Sequence, residues 1–254
     1  MKKLISAVCI FMLLFQYVIS AETAADESRY DLVYDLGILT EETSVSDNVT
    51  YDEIERAALV IASGEPVNSD DCLTPAKDAG LVKEAAEGTV KAEDAVKILL
   101  RSAGYINADA EVENQLFKMS AGSGITKGVV FKDRNAVKVS EVCKMIENLM
   151  EEDTLKYNGT GYAQSGETVL EDKFNISKKD GILYPGIMYK LHSSKIIIGA
   201  DTYTAEKDFS EYAGKTVRAY IDDDGKVVSV TDKYHDNREY RASTSRCSIS
   251  PFPS

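Results

Sequence analysis

VKAEDAVKILLRSAGY, residues 90–105, carries the pattern that decides the fold. Ala92, Ala95, Val96, Leu99, Leu100 and Ala103 recur at three- and four-residue steps, which puts them on one helix face, with Lys91, Glu93, Asp94, Lys97 and Arg101 toward the other. The chain makes nearly the same statement twice more, as VTYDEIERAALVIASG at 49–64 and VKVSEVCKMIENLM at 137–150. Registered without gaps, Thr50, Lys91 and Lys138 share one column, Glu53, Asp94 and Glu141 an acidic column, and Ala58, Leu99 and Ile146 an apolar one. The starts are 41 and 47 residues apart. Helices of fixed length separated by adjustable loops produce such unequal spacing, and the period lies in the range of structural repeats.

Thr50 followed by Glu53 forms a capping box, in which side chains and backbone donors at the helix start satisfy each other. Lysine stands at the threonine position in the other two copies, so their starts are less well specified. Val139, Val142, Cys143, Ile146 and Leu149 trace the apolar face of the third copy, which makes Cys143 a core residue. A second recurring piece precedes each helix: YDLVYDLGIL at 30–39, TPAKDAGLV at 74–82 and NQLFKMSAGSGITKG at 114–128. Gly37, Gly80 and Gly124 are expected to stop a short helix in the left-handed conformation, with Ile38, Leu81 and Ile125 folding back on the core. Ala108, Val112, Leu116 and Met119 define the buried face of the third short helix. Each unit is then a helical hairpin, and three share an apolar centre that none builds alone.

Around this repeat, residues 1–21 combine Lys2 and Lys3, an apolar run from about Leu4 to Val18 and the small residues Ser20 and Ala21, the pattern of a secretory signal peptide cut near Ala21. That run is too short for a comfortable membrane span. The formal charge of the chain is −13, and loss of the two leader lysines takes it to about −15. Such a surface argues against nucleic acid or an anionic membrane as the main partner. Cys72, Cys143 and Cys247 remain after cleavage. An odd number is not a disulfide scaffold, and a Cys72–Cys143 bridge stands beside the plainer reading of two buried thiols. No C-x-x-C occurs and His192 and His235 are isolated, so neither a metal nor a cofactor is expected. G-x-S-x-G, H-E-x-x-H, P-loop and dinucleotide fingerprints are missing too, and no enzyme activity is expected.

After Met150 the composition changes. EEDTLKYNGTGYAQSGE is polar and glycine-bearing, as a linker or surface loop is. TVLEDKFNI at 168–176, GILYPGIMYKL and KIIIGADTYT at 195–204 have strand-like composition. FSEYAGK at 209–215 is turn-like, and TVRAYI at 216–221 and KVVSVT at 226–231 are two strands joined by DDDG. Val217, Ala219 and Ile221 alternate with Arg218 and Tyr220, as for a sheet with one buried face, and Asp224-Gly225 favours a tight turn over a calcium loop. The class is α+β: a signal peptide at 1–21, an N-terminal linker at 22–29, three helical repeats at 30–150, a linker at 151–166, a small antiparallel β domain at 167–232 and a disordered tail at 233–254 containing Cys247.

The pattern of LGI, a polar loop, V-T-Y/R-x-E and an apolar helix ending in LG or AGY resembles the S-layer homology domain, a three-repeat module of exported bacterial proteins, over about residues 30–150. YINADAEVENQLFKMSAGSGITKG with AVKVSEVCKMIENLM is similar to the last repeat of clostridial surface proteins, and 168–230 is similar to a β-rich region that follows such repeats. The resemblance implies a secreted protein at the cell wall or surface. It would be held noncovalently to secondary cell-wall polysaccharide, an anionic and often pyruvylated polymer, in a pocket between repeats. The family reads that polymer with an arginine of a TRAE-like motif and an aromatic residue, commonly tryptophan. Here the motif positions are Thr50-Tyr51-Asp52-Glu53, Lys91-Ala92-Glu93-Asp94 and Lys138-Val139-Ser140-Glu141, and the chain has no tryptophan. Lysine offers a point charge without arginine's bidentate fork. Lys91 and Lys138 become the candidate glycan contacts, with Tyr51 and Tyr105 as candidate stacking surfaces; the plainer reading of the lysines is as ordinary solvent-facing residues at helix starts. The alternative is a secreted structural or protein-interaction module whose degenerate repeats no longer bind glycan.

Overall fold

The computed structural model describes residues 30–40, 44–67, 69, 71–105, 124–157, 162–184 and 195–233. The signal peptide, the N-terminal linker, the third short helix, Cys247 and all of the tail but Lys233 lie outside them. The fold mixes helix and sheet, and the chain divides into two compact units, Met1–Asn175 and Ile176–Ser254.

The three recurring stretches form α2 (Tyr51–Ser63), α4 (Ala92–Ser102) and α5 (Val139–Met150), and each begins on its column residue, with Thr50, Lys91 and Lys138 as N-caps in extended backbone conformation. The shared apolar column, Ala58, Leu99 and Ile146, is wholly buried. Thr50 and Glu53 complete the expected capping box. In the third copy Glu141 accepts the Lys138 backbone N–H at 2.9 Å, whereas the ammonium has no lone pair to return, so half of the box survives.

What unites the copies is the residue before each cap. Val49 N–H donates to the Val137 carbonyl at 2.9 Å, Val137 to Val90 at 3.0 Å and Val90 to Val49 at 2.8 Å, a closed ring of three backbone hydrogen bonds. All three valines are fully buried. A second set runs the opposite way round: Tyr51 donates to Gly88, Ala92 to Arg134 and Val139 to Asp47. Each lead-in therefore satisfies its backbone through both neighbours, and none can form its pairs alone.

The stops behave as their sequence demands. Gly37, Gly80 and Gly124 have φ between 66° and 79°, and Ile38, Leu81 and Ile125 after them are fully buried. The hairpin pairing differs from expectation. The short helix α1 (Asp31–Asp35) packs on α5, and α3 (Leu73–Asp78) packs on α2, so each sits against the long helix of the neighbouring repeat. Cys72 and Cys143 are buried free thiols, the plainer of the two readings.

Residues 151–166 correct the linker assignment. β1 (Asp153–Tyr157) and β2 (Tyr162–Thr168) form an antiparallel pair inside the first unit. Leu155 N–H donates to the Ala103 carbonyl at 3.2 Å, tying β1 to the end of α4. The buried Thr154 hydroxyl lies 2.7 Å from that of Ser165. The stretch expected as a strand at 168–176 begins instead with a helix, α6 (Val169–Phe174), started by a Thr168/Glu171 capping box and closed by Asn175 at φ 53°. Val169 and Leu170 bury its apolar side.

The second unit is a closed barrel of β3 (Ile176–Tyr184), β4 (Lys195–Ile198), β5 (Asp201–Ala205), β6 (Thr216–Asp222) and β7 (Lys226–Asp232), in the order β3-β4-β5-β7-β6. Every pair is antiparallel except β5–β7, which is parallel and modifies the all-antiparallel expectation. The first strand pairs with the second and fourth while the third and fifth run parallel, the connectivity of small Greek-key barrels of the OB type. Leu183, Ile196, Ile198, Val217, Ala219 and Val230 fill the interior. Phe209 and Tyr212, from the turn around Ser210–Tyr212, join them. Closure brings β3 against the β4–β5 turn so tightly that a Cβ on Gly181 would stand 2.8 Å from the Gly199 nitrogen. At the β6–β7 turn Asp222 Oδ1 accepts the N–H groups of Asp224 and Lys226, which accounts for that aspartate structurally.

Candidate functional site

The ring of lead-ins creates three junctions between repeats, and the first differs from the others. Tyr51, at the position after the first cap, lies against α4 of the second repeat. Its hydroxyl donates to Asp94 Oδ2 at 2.6 Å. Burial, then the Asp94 carboxylate that it faces, pushes the phenol up to about 12, so it stays a donor throughout the accessible pH range. Ala92 and Val139 occupy the equivalent positions and have no hydroxyl. Glu141 turns back on its own helix start, as Glu53 does in the first copy, and also accepts the Lys132 N–H at 2.8 Å. Asp94, one methylene shorter than either glutamate, takes the neighbour's tyrosine.

Beside that bond lies a groove of about 390 Å³, lined by Tyr51, the 82–86 loop (Val82, Lys83, Glu84, Ala85, Ala86) and one stripe of α4 made by Asp94, Lys97, Ile98 and Arg101. The volume suits a small ligand. The i, i+3, i+4, i+7 spacing of 94, 97, 98 and 101 gives them a common face, at the flank of the apolar one. Arg101 is 4% exposed, and its Nη1 donates to the Leu81 carbonyl at 3.2 Å, so the guanidinium fastens the 81–86 loop to the helix. Lys97 pairs with Glu93 at 2.7 Å. The groove thus sets three cations, Lys83, Lys97 and Arg101, against the acids Glu84 and Asp94, with Ile98 and Val82 as apolar floor.

Of the residues singled out in the sequence, Tyr51 lines the groove by its buried edge rather than as an open stacking face. Lys91 is exposed at the start of α4 and Lys138 is half-buried at the start of α5; neither lines the groove. Tyr105 is buried away from it, and burial together with Glu152 and Asp153 raises its phenol. Among the described residues the backbone of Lys91 reaches Tyr51, and that tyrosine is buried. Lys97 and Arg101, which line the groove, were visible in the sequence only as the polar flank of an amphipathic helix. Their shared stripe with Asp94 was the signal available.

A buried carboxylate lies elsewhere in the same unit. Glu55 of α2 is 1% exposed and its Oε1 has no hydrogen-bond partner. Burial, then Asp52, lifts its carboxyl from 4.5 to about 7; Asp71 adds to this and Lys77 opposes it. Among the described residues no group of His, Cys, Asp and Glu is arranged to hold a metal ion. Nor is any described helix long and apolar enough to cross a membrane. No protein-family model, curated protein or solved structure matches the chain.

Proposed function

We propose that the first unit is a wall-anchoring module of the S-layer homology type in an exported protein, binding secondary cell-wall polysaccharide noncovalently and holding the barrel unit at the cell surface. The observation that carries this reading is the ring of Val49, Val90 and Val137, which makes three repeats one module and leaves a lined groove at a repeat junction. A saccharide fits such a groove through hydroxyls that accept from Lys97 and Arg101 and donate to Asp94, with its C–H face on Ile98 and Val82. No step of bond making or breaking is assigned to it. The second reading, a secreted protein-interaction module, is favoured by the positions of Lys91 and Lys138 outside the groove. Sedimentation of the exported chain with purified cell walls, before and after extraction of their secondary polysaccharide, separates the two. Anchoring predicts that extraction abolishes retention. Retention that persists on extracted walls contradicts it.

A further inference from the structure

We propose that the groove at the first repeat junction recognises a neutral sugar unit of the polymer through the Tyr51–Asp94 pair, and does not select acidic substituents. This rests on the wall-anchoring reading and concerns what the groove reads there. The position at which the resemblance calls for arginine holds Tyr51, and its hydroxyl is spent on Asp94 Oδ2 at 2.6 Å. The consequence is a fixed carboxylate at the groove wall whose other oxygen, Oδ1, has no donor among the described residues. Glu84 adds a second negative group to the lining. The cations Lys83, Lys97 and Arg101 are matched in number by the acids Glu84, Asp94 and Glu93, the last pairing with Lys97 at 2.7 Å, and Arg101, almost wholly buried, also donates to the Leu81 carbonyl. Charges so balanced give an acidic sugar no net attraction and place it beside Asp94. They suit an uncharged ring, whose hydroxyl donates to Oδ1 in a charge-assisted bond while ring and hydroxyl oxygens accept from Lys97 and Arg101. Neither of the other junctions offers this, because Ala92 and Val139 bring no hydroxyl.

The test uses the full exported chain and two samples of extracted wall polysaccharide, one native and one stripped by mild acid of its ketal- and ester-linked acidic groups. Binding to both within about twofold, changing less than about threefold as sodium chloride rises from 50 to 500 mM, is the expected result. Asp94→Asn keeps the side-chain shape and the tyrosine contact but loses the charge, and is expected to weaken binding to both samples about tenfold. Stripping that abolishes binding while the native polymer still binds overturns the neutral-sugar inference and leaves the anchoring reading standing. So does an Asp94→Asn chain, folded by circular dichroism, that binds as well as wild type. Failure of the wild-type chain to bind either sample overturns both.

Discussion

Glu55→Gln should make the first unit more stable, and only at neutral and alkaline pH. The wild-type carboxyl lies 1% exposed among Asp52, Asp71 and Lys77, with one oxygen unpartnered, and its pKa rises from 4.5 to about 7. A carboxyl whose pKa is raised in the folded state binds its proton more tightly there. Stability is therefore unaffected by this group below about pH 4.5, falls as pH rises through the interval to about 7, and stays lowered above it. The full shift converts to about 3 kcal/mol, and relaxation of the surroundings on ionisation reduces this to roughly 1–2 kcal/mol. Glutamine has the same shape and never ionises. Amide hydrogen exchange of a peptide spanning α2, compared between wild type and variant at each pH, reads the first unit within the intact chain. Protection in the variant should exceed that of wild type by about 5–30-fold at pH 8 and match it within about twofold at pH 4. A ratio that does not change with pH refutes the placement of an ionisable carboxylate in that interior.

Three further outcomes follow from the packing. Gly64→Ala should cost more than about 3 kcal/mol, because the residue has φ 74° and a Cβ there would stand 1.8 Å from the Lys173 carbonyl oxygen; unchanged exchange of the α2 peptide would contradict the close approach of α2 to α6. Val90→Pro deletes the N–H that donates to Val49 at 2.8 Å and opens the ring, and should destabilise the unit by about 2–4 kcal/mol in urea denaturation; a proline variant as stable as wild type would show that the ring is not needed. Burial pushes the Cys143 thiol up to about 12, so iodoacetamide at pH 8 should leave it unmodified in peptide maps until the chain is unfolded; rapid labelling of the folded chain would place it at the surface.

The parts of the fold that were legible in the sequence are those that repeat. A helix start, an apolar column and a glycine stop recur because each copy buries the same face. Agreement among copies identified Thr50, Lys91 and Lys138 as caps and Ile38, Leu81 and Ile125 as core. The ring itself left no sequence mark, since it is made by backbone groups and any buried β-branched residue serves there. The exchange of short helices between repeats was equally hidden, because local spacing says which face is apolar and not which neighbour covers it. β1 and β2 were missed because the buried Thr154 hydroxyl finds its partner in Ser165, and their segment keeps a linker's polar composition. The helix at Val169–Phe174 did announce itself through Thr168-x-x-Glu171, but β-branched and aromatic residues around it outweighed that signal. In the groove, sequence pattern put Lys97 and Arg101 on the solvent side of α4. The groove they line is completed by a loop, 82–86, whose course no periodicity fixes.

The most direct measurement is an NMR footprint of extracted wall polysaccharide titrated into the isotopically labelled exported chain. Anchoring through the first repeat junction predicts that amide shifts concentrate at Tyr51, the 82–86 loop and the Asp94–Arg101 stripe of α4, with the barrel strands of the second unit unmoved. Shifts confined to the barrel, or absent from the groove while the polymer binds, would contradict it.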